Sequence, residues 1–231
     1  MAEGWAPEPD VMLANVPNYT FAEAARYLRM PASTVRYWAK GGVVTRPDRP
    51  NIRFEQVLDG PPRQRLTFSD LTELLIVREL REKFNVTPRA IRRAQEYVRT
   101  TLKERWYLYH LAVYGREIFI EHIEPAPVAA SRSGQMAFAG FLDDVLQRVE
   151  IDAAGVPTRI FPRIAYSHTP APVQISPFVS FGIPTITDTG IKVRTVARRY
   201  DAGEELDAIA ADYGLAIDVI EDAISFHVAA A

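Results

Sequence analysis

The chain contains no cysteine. Disulfide scaffolds, thiolate metal sites and cysteine nucleophiles are therefore excluded. No uncharged apolar run approaches the roughly 18 to 20 residues that a membrane span requires. The opening MAEGWAPEPD is acidic and lacks the apolar segment of a secretory signal, so a cytoplasmic location is the expectation. HExxH helices, phosphate-cradling glycine loops, GxSxG elbows and carboxylate pairs with an evident base partner are all missing. The chain is accordingly expected not to be an enzyme, and to need neither cofactor nor metal. His110 and His122 lack the companions of a metal site, and Asp143–Asp144 reads as a solvated helix face. Basic residues are also absent after Arg199, where Asp201, Glu204, Glu205, Asp207, Asp212, Asp218, Glu221 and Asp222 stand without a Lys or Arg.

What is present suits a folded protein. The 231 residues are 48% hydrophobic and 24% charged, enough to form a core and to divide into two domains. The net charge of −2 conceals an asymmetry. Residues 1–105 carry 18 Lys+Arg and 13 Asp+Glu, whereas residues 106–231 carry 9 and 16. The first part suits a polyanion, and the second would be repelled by one.

Residues 1–18, with Pro7, Pro9 and Pro17, read as a flexible leader. Thr20 and Glu23 form a capping box that opens a helix over Ala24, Ala25 and Leu28. A second helix starts near Pro31, with Ser33 as the alternative cap, and ends at Gly41–Gly42. Val35 and Trp38 should face its core side, with Arg36, Tyr37 and Lys40 turned outward. Val43–Val44 and Arg65–Phe68 are the expected arms of a β wing around a long basic loop. Ser69–Asp70 and Thr87–Pro88 begin two further helices, the last stopping near Arg105. Residues 106–121 predict a hairpin turning at Tyr114–Gly115. A helix is expected over Phe138–Leu146, then short strands about Ala154–Gly155. Proline punctuates an extended connector over 162–184. Three helices follow, from about Ile191 to Asp201, from Glu204 to Tyr213, and onward from an Asp218 cap.

Two adjacent short helices, the second bearing Arg36, Tyr37 and Lys40, are the layout of a helix-turn-helix presented to DNA. Candidate contacts are Thr20, Ser33, Thr34, Arg36, Tyr37, Lys40, Arg63 and Arg65. Ser33 and Thr34 lie in the first turn, the part of a recognition helix nearest base edges. Arg36 and Lys40 offer cations to phosphates. Arg46, Arg49 and Arg53 share the basic wing stretch with Arg63 and Arg65. The aromatic group Trp106, Tyr107, Tyr109, Tyr114 and Phe119 either packs a core or lines an effector pocket. Ile217, Ile220, Ala223, Ile224 and Val228 make a helix face that either packs a core or closes a dimer.

The segment YTFAEAARYLRMPASTVRYWAKGGVV resembles the winged helix of MerR-type regulators. Thr34, Val35, Arg36 and Tyr37 fall where that family carries threonine, leucine, arginine and tyrosine. QRLTFSDLTELLIVRELREKFNVTPRAIRRA continues the likeness, although the wing stretch here is longer and has Phe68 where a tyrosine is usual. PFVSFGIPTITDTGIKVRTVARRYDAGEELDAIAADYGLAIDVIEDAISF resembles the trihelical domain of VapB-type antitoxins, through Pro177, Phe181, Gly182, Pro184, Thr189 and Ile191 and then Gly203, Ile209, Ala210, Asp212, Tyr213 and Ile220. Their order in one chain resembles MerR-like VapB antitoxins.

That resemblance implies a mainly α fold, α+β overall. It divides the chain into a leader (1–18), a MerR-like winged helix (19–104), a small α+β middle region (105–161), a Pro-rich connector (162–184) and a trihelical domain (185–231). It implies an antitoxin that binds double-stranded operator DNA, represses its own operon and neutralises a PIN-domain ribonuclease toxin, as a homodimer or higher hetero-oligomer, without membrane contact. The toxin contact is left open among Arg194, Arg198 or Arg199, the middle region, and simple occlusion. The alternative is a MerR-like regulator that responds to a ligand.

Overall fold

Local capping and distant strand pairing together shape this chain. The computed structural model describes residues 9–45, 47–48, 50–58, 64–102, 110–114, 117–121, 128–129, 148–153, 155–162 and 172–229. They are mainly helical with small antiparallel sheets, as the sequence predicts. They fall into two units, one built from 1–30, 65–69 and 148–231, the other from 31–64 and 70–147.

In the first unit, α1 (Pro9–Ala14) occupies part of the expected leader. Proline at a first helical position costs nothing, because its missing amide would go unpaired there. Ala14 is fully buried, and its carbonyl accepts the Ser69 hydroxyl at 3.3 Å. The capping box then starts α2 (Phe21–Leu28). The Glu23 amide donates to Thr20 Oγ1 at 3.1 Å, and the Thr20 amide donates to Glu23 Oε2 at 2.8 Å. Ala24, Ala25, Tyr27 and Leu28 are buried. Leu66 exchanges backbone hydrogen bonds with Tyr19, at 2.9 and 2.8 Å. The 65–68 stretch therefore pairs with Tyr19, ahead of the α2 cap, and is not an arm of the wing.

Strands β6 (Val149–Ile151) and β7 (Pro157–Ile160) pair antiparallel around a turn at Gly155. Ile160 bridges to Ile175. β8 (Val173–Gln174) pairs with β9 (Thr185–Ile186), so the second half of the expected connector is folded. Its two limbs meet across a short 3-10 turn, Ser180–Gly182. Three helices follow: α6 (Val193–Asp201), α7 (Leu206–Tyr213) and α8 (Ile217–Ala229). Val193, Val196, Ile209, Ile220, Ala223 and Phe226 form their shared core. α8 begins one residue before Asp218, which stands inside its first turn and not at its cap.

In the second unit, α3 (Ala32–Lys40) leads into a two-stranded wing, β1 (Gly42–Val44) and β2 (Ile52–Phe54), with Val43 opposite Arg53. The second arm is thus Ile52–Phe54, much closer in sequence than Arg65–Phe68. α4 (Phe68–Glu82) begins just ahead of the predicted Ser69–Asp70 and buries Leu71, Leu74, Leu75 and Leu80. Thr87 caps α5 (Pro88–Tyr97), its hydroxyl accepting the Ala90 amide at 3.1 Å. A π-helical turn, Val98–Leu102, continues it. Gln95 of α5 donates to Glu73 of α4 at 2.6 Å, both buried. β3 (His110–Tyr114) and β4 (Glu117–Glu121) form the predicted hairpin, joined by β5 (Val128–Ala129). Trp106, Tyr107, Tyr109, Gly115, His122, the helix expected over Phe138–Leu146 with Asp143–Asp144, and Ala154 lie outside the described residues.

Candidate nucleic-acid interface

α3 is assembled from residues that divide cleanly by face. Val35 and Ala39 are buried, at 0% and 2% exposure. Ser33 and Arg36 are exposed, and Thr34, Tyr37, Trp38 and Lys40 are half-buried. Ser33, Arg36, Tyr37 and Lys40 are spaced three or four residues apart, so they line one side of the helix. Pro31 caps the amino end without a side-chain hydrogen bond. The first-turn amides and the positive end of the helix dipole therefore lie beside Ser33 and Thr34, an arrangement that favours an anion.

The wing and the chain that follows it are tied to α3 at three places. The Tyr37 ring stacks on Phe54, with centroids 4.5 Å apart and planes at 16°. The Trp38 carbonyl, near the helix end, accepts two amides, from Val57 at 2.8 Å and Leu58 at 2.9 Å. Lys40 Nζ donates to Gln64 Oε1 at 2.7 Å. The two glycines after α3 are required by this packing. Gly41 has φ 67°, and a Cβ there would stand 3.0 Å from the Gln56 amide nitrogen and the Phe54 carbonyl oxygen. Gly42 has φ 152°, and a Cβ there would stand 3.2 Å from the Tyr37 ring. Arg92 of α5 pairs with Glu55 and donates to the Gln56 carbonyl, which holds the strand's exit.

The predicted contacts thus separate. Ser33, Thr34, Arg36, Tyr37 and Lys40 share α3 with the wing, where Arg53 is also exposed. Thr20 and Arg65 belong to the first unit. The Thr20 hydroxyl accepts from the Glu23 amide and donates to Glu23 Oε2 at 2.7 Å. Arg65 is exposed and donates to the Asn18 carbonyl at 2.6 Å. Burial pushes the Glu23 carboxyl up, but the Thr20 amide and hydroxyl, with Arg65 and Arg26 nearby, outweigh it and hold the group below its ordinary value. Arg46, Arg49 and Arg63 lie outside the described residues. Phe54 and Arg92 were missed by sequence reading. The only hint of Phe54 was an aromatic residue placed shortly before the next hydrophobic run.

The three candidate toxin-binding arginines also divide. Arg199 pairs with Glu204 and Asp212, the latter at 2.6 Å, and lies 5.2 Å above the Tyr213 ring. These hydrogen bonds, Glu204 foremost, raise its guanidinium further above its ordinary value. Arg194 and Arg198, one turn apart on α6, are exposed. Among the described residues no group of three or more His, Asp or Glu side chains could hold a metal ion. Among them, too, no helix is long and apolar enough to cross a membrane.

Residues 17–94 match the family described as "Putative DNA-binding HTH domain", and residues 173–227 match "Protein of unknown function (DUF433)". "Putative antitoxin VapB45" of Mycobacterium tuberculosis (strain ATCC 25618 / H37Rv) is 26% identical over 227 residues, covering 91% of this chain and 93% of that protein. "Uncharacterized protein Rv2308" of the same organism is 27% identical over 218 residues, covering 90% of this chain and 89% of that one. The crystal structure of Rv2018 from Mycobacterium tuberculosis shares the fold, with a TM-score of 0.62 at 19% identity over 91% of this chain and 98% of that one. The likeness to VapB-type antitoxins with an N-terminal helix-turn-helix, read from two segments, is thus borne out by a relative spanning nearly the whole chain and by two family matches in the expected order.

Proposed function

We propose that this chain is the antitoxin of a toxin–antitoxin pair, a DNA-binding regulator that represses its own operon and neutralises a PIN-domain ribonuclease. The observation that carries the DNA half is the α3 surface. Exposed Ser33 and Arg36 share a side with Lys40, while Val35 and Ala39 anchor the helix from behind and the wing is clamped against its end. Arg36 and Lys40 neutralise phosphates, Tyr37 braces the wing and offers its hydroxyl to the backbone, and Ser33 and Thr34 meet base edges. Arg53 of the wing adds a further cation beside α3, and Thr20, Arg63 and Arg65 are further candidate DNA contacts. The match of residues 17–94 to a DNA-binding family supports this half.

The toxin half is supported by the full-length relative that carries the antitoxin name and by the acidic, Lys- and Arg-free stretch after Arg199, which disfavours a second DNA reader there. The protein works in the cytoplasm, without catalysis of its own. The test combines two assays on the full chain. It should retain its own promoter fragment at low ionic strength. It should also co-purify with the product of the neighbouring reading frame and suppress that product's RNA cleavage. Undiminished cleavage in its presence removes the antitoxin assignment, and loss of promoter retention removes the repressor assignment.

A further inference from the structure

Helix α6 carries its two exposed arginines on one side, because Arg194 and Arg198 are one helical turn apart. Both line a cleft of about 340 Å³ bounded by α2, α6 and α8 of the first unit. α2 contributes Arg26 and α8 contributes His227. These groups come from distant parts of the sequence, so the fold and not local spacing brings them to one space. The back wall is apolar, with Val193 and Phe226 each 2% exposed and Tyr27 9%. The Arg26 guanidinium lies 5.7 Å from the centre of the Tyr27 ring.

Charge at the cleft is unbalanced. Three guanidiniums face one carboxylate, that of Glu23, which leaves a surplus of two positive charges. The carboxylate is already engaged, since its Oε2 accepts the Thr20 amide at 2.8 Å and the Thr20 hydroxyl at 2.7 Å. Arg199 of the same helix is held by Glu204 and Asp212, whereas Arg194 and Arg198 have no ion pair among the described residues. The Tyr27 hydroxyl registers the convergence: burial raises it, Glu23 raises it further, and Arg26 and Arg194 oppose both. A concave site with apolar walls and one sign of charge focuses its field and concentrates counter-ions. Arginine matches the oxygens of phosphate in pairs. A phosphate monoester carries about −1.5 to −2 charges at neutral pH and offsets the whole surplus, whereas a carboxylate offsets half of it.

We propose that this cleft binds a small phosphate monoester with a compact apolar body. Arg194 and Arg198 take phosphate oxygens from α6, Arg26 approaches them from α2, and His227 offers a ring N–H from α8. The apolar body lies against Val193, Tyr27 and Phe226. The volume of about 340 Å³ stands at the lower end of the range of small-molecule sites. The site is separate from the α3 surface and does not rest on the reading of that surface. It assigns Arg194 and Arg198 to a small ligand. Because α2, α6 and α8 all line the cleft, occupancy ties the first helix of the helix-turn-helix to the C-terminal helices and stabilises the folded unit.

The test is isothermal titration calorimetry of phenyl phosphate into the full chain, without DNA or partner protein, so that its outcome is separate from both halves of the proposed function. Phenyl phosphate should bind at one site per chain with a Kd below about 1 mM, and more weakly as salt rises. Glycerol 3-phosphate lacks the apolar body and phenylacetate lacks the second charge, and each should bind about tenfold more weakly or worse. Arg194→Gln with Arg198→Gln should weaken phenyl phosphate by about tenfold or more, and Arg26→Gln by about threefold or more. All three side chains are exposed, so the far-ultraviolet spectrum and the ligand-free melting transition should stay in place. Arg89→Gln, an exposed change on α5, should leave binding unaltered. If the double variant fails to fold, Arg26→Gln decides. A wild type without saturable binding overturns the proposal, as does binding indifferent to the cleft substitutions. Phenylacetate binding as tightly as phenyl phosphate overturns the phosphate assignment. Binding that Arg36→Ala removes and the cleft substitutions spare also overturns it, and gives the phosphate to the α3 surface.

Discussion

The Tyr37 ring lies against the Phe54 ring, centroids 4.5 Å apart and planes 16° from parallel, joining the outward side of α3 to the second strand of the wing. An aromatic stack of this kind contributes about 0.5–1.5 kcal/mol beyond the area it buries. Phe54→Ala should therefore lower stability by about 1–3 kcal/mol and weaken promoter binding through a loosened wing. Tyr37→Phe keeps the ring and removes only the hydroxyl. Its melting temperature should stay near wild type, and any loss of DNA affinity then reports the hydroxyl alone. Thermal melts paired with fluorescence-anisotropy titrations would separate these effects. An unstable Tyr37→Phe would show that the hydroxyl serves the fold.

Gly41→Ala tests the backbone at the end of the same helix. The substituted Cβ would meet backbone atoms of Phe54 and Gln56 at 3.0 Å, at a φ of 67° that side chains disfavour. Neither contact can swing away as a flexible side chain would. A loss of about 1–3 kcal/mol is expected from a chemical-denaturation curve. A neutral result would mean that the wing shifts to accept a methyl group.

Arg36→Ala should weaken binding to all DNA sequences alike and lower the slope of log affinity against log salt by about one. Arg36 is exposed and buries nothing essential, so stability should be unchanged. Ser33→Ala should instead alter preference at one or two base pairs, by about 1–3 kcal/mol. A salt series over matched and mismatched duplexes distinguishes the two. An unaltered slope for Arg36→Ala removes that residue from the phosphate contacts.

Thr20 and Glu23 give a pH signature. The Glu23 carboxyl titrates below its ordinary value in the folded chain. Its contribution is therefore complete above the unfolded value, near 4.3, and is lost as pH falls through the folded value. Thr20→Ala removes the cap, at about 1 kcal/mol near neutral pH, and should flatten the acid limb of the stability profile. Urea denaturation at a series of pH values from about 6 downward checks it. An acid limb parallel to wild type would locate the pH dependence in other carboxylates.

Local chemistry made much of this molecule legible. The Thr20–Glu23 box and the Thr87–Pro88 start need only three neighbouring residues each, and both helices begin where those residues stand. The three C-terminal helices have apolar periods and intervening glycines that require no distant partner to be recognised. Strand pairing is different, because a short strand is stabilised by whatever lies opposite. Arg65–Phe68 has the composition of a wing arm, yet Leu66 pairs with Tyr19, and Ile52–Phe54 takes the place beside Gly42–Val44. Prolines at 7, 9 and 17 suggested a leader, but Pro9 sits at the one helical position where proline is harmless.

The cationic side chains mark the same boundary. Composition places positive charge ahead of residue 106 and negative charge after it, and helical period alone puts Arg36 and Lys40 on one side of a helix. Which arginines would be occupied followed only from the packed chain. Arg199 is held by Asp212, thirteen positions away and on the next helix, while Arg194 and Arg198 on the same helix remain exposed. Long, flexible side chains take their partners from whatever the tertiary fold brings near, and those partners come from parts of the chain that a helical period does not connect.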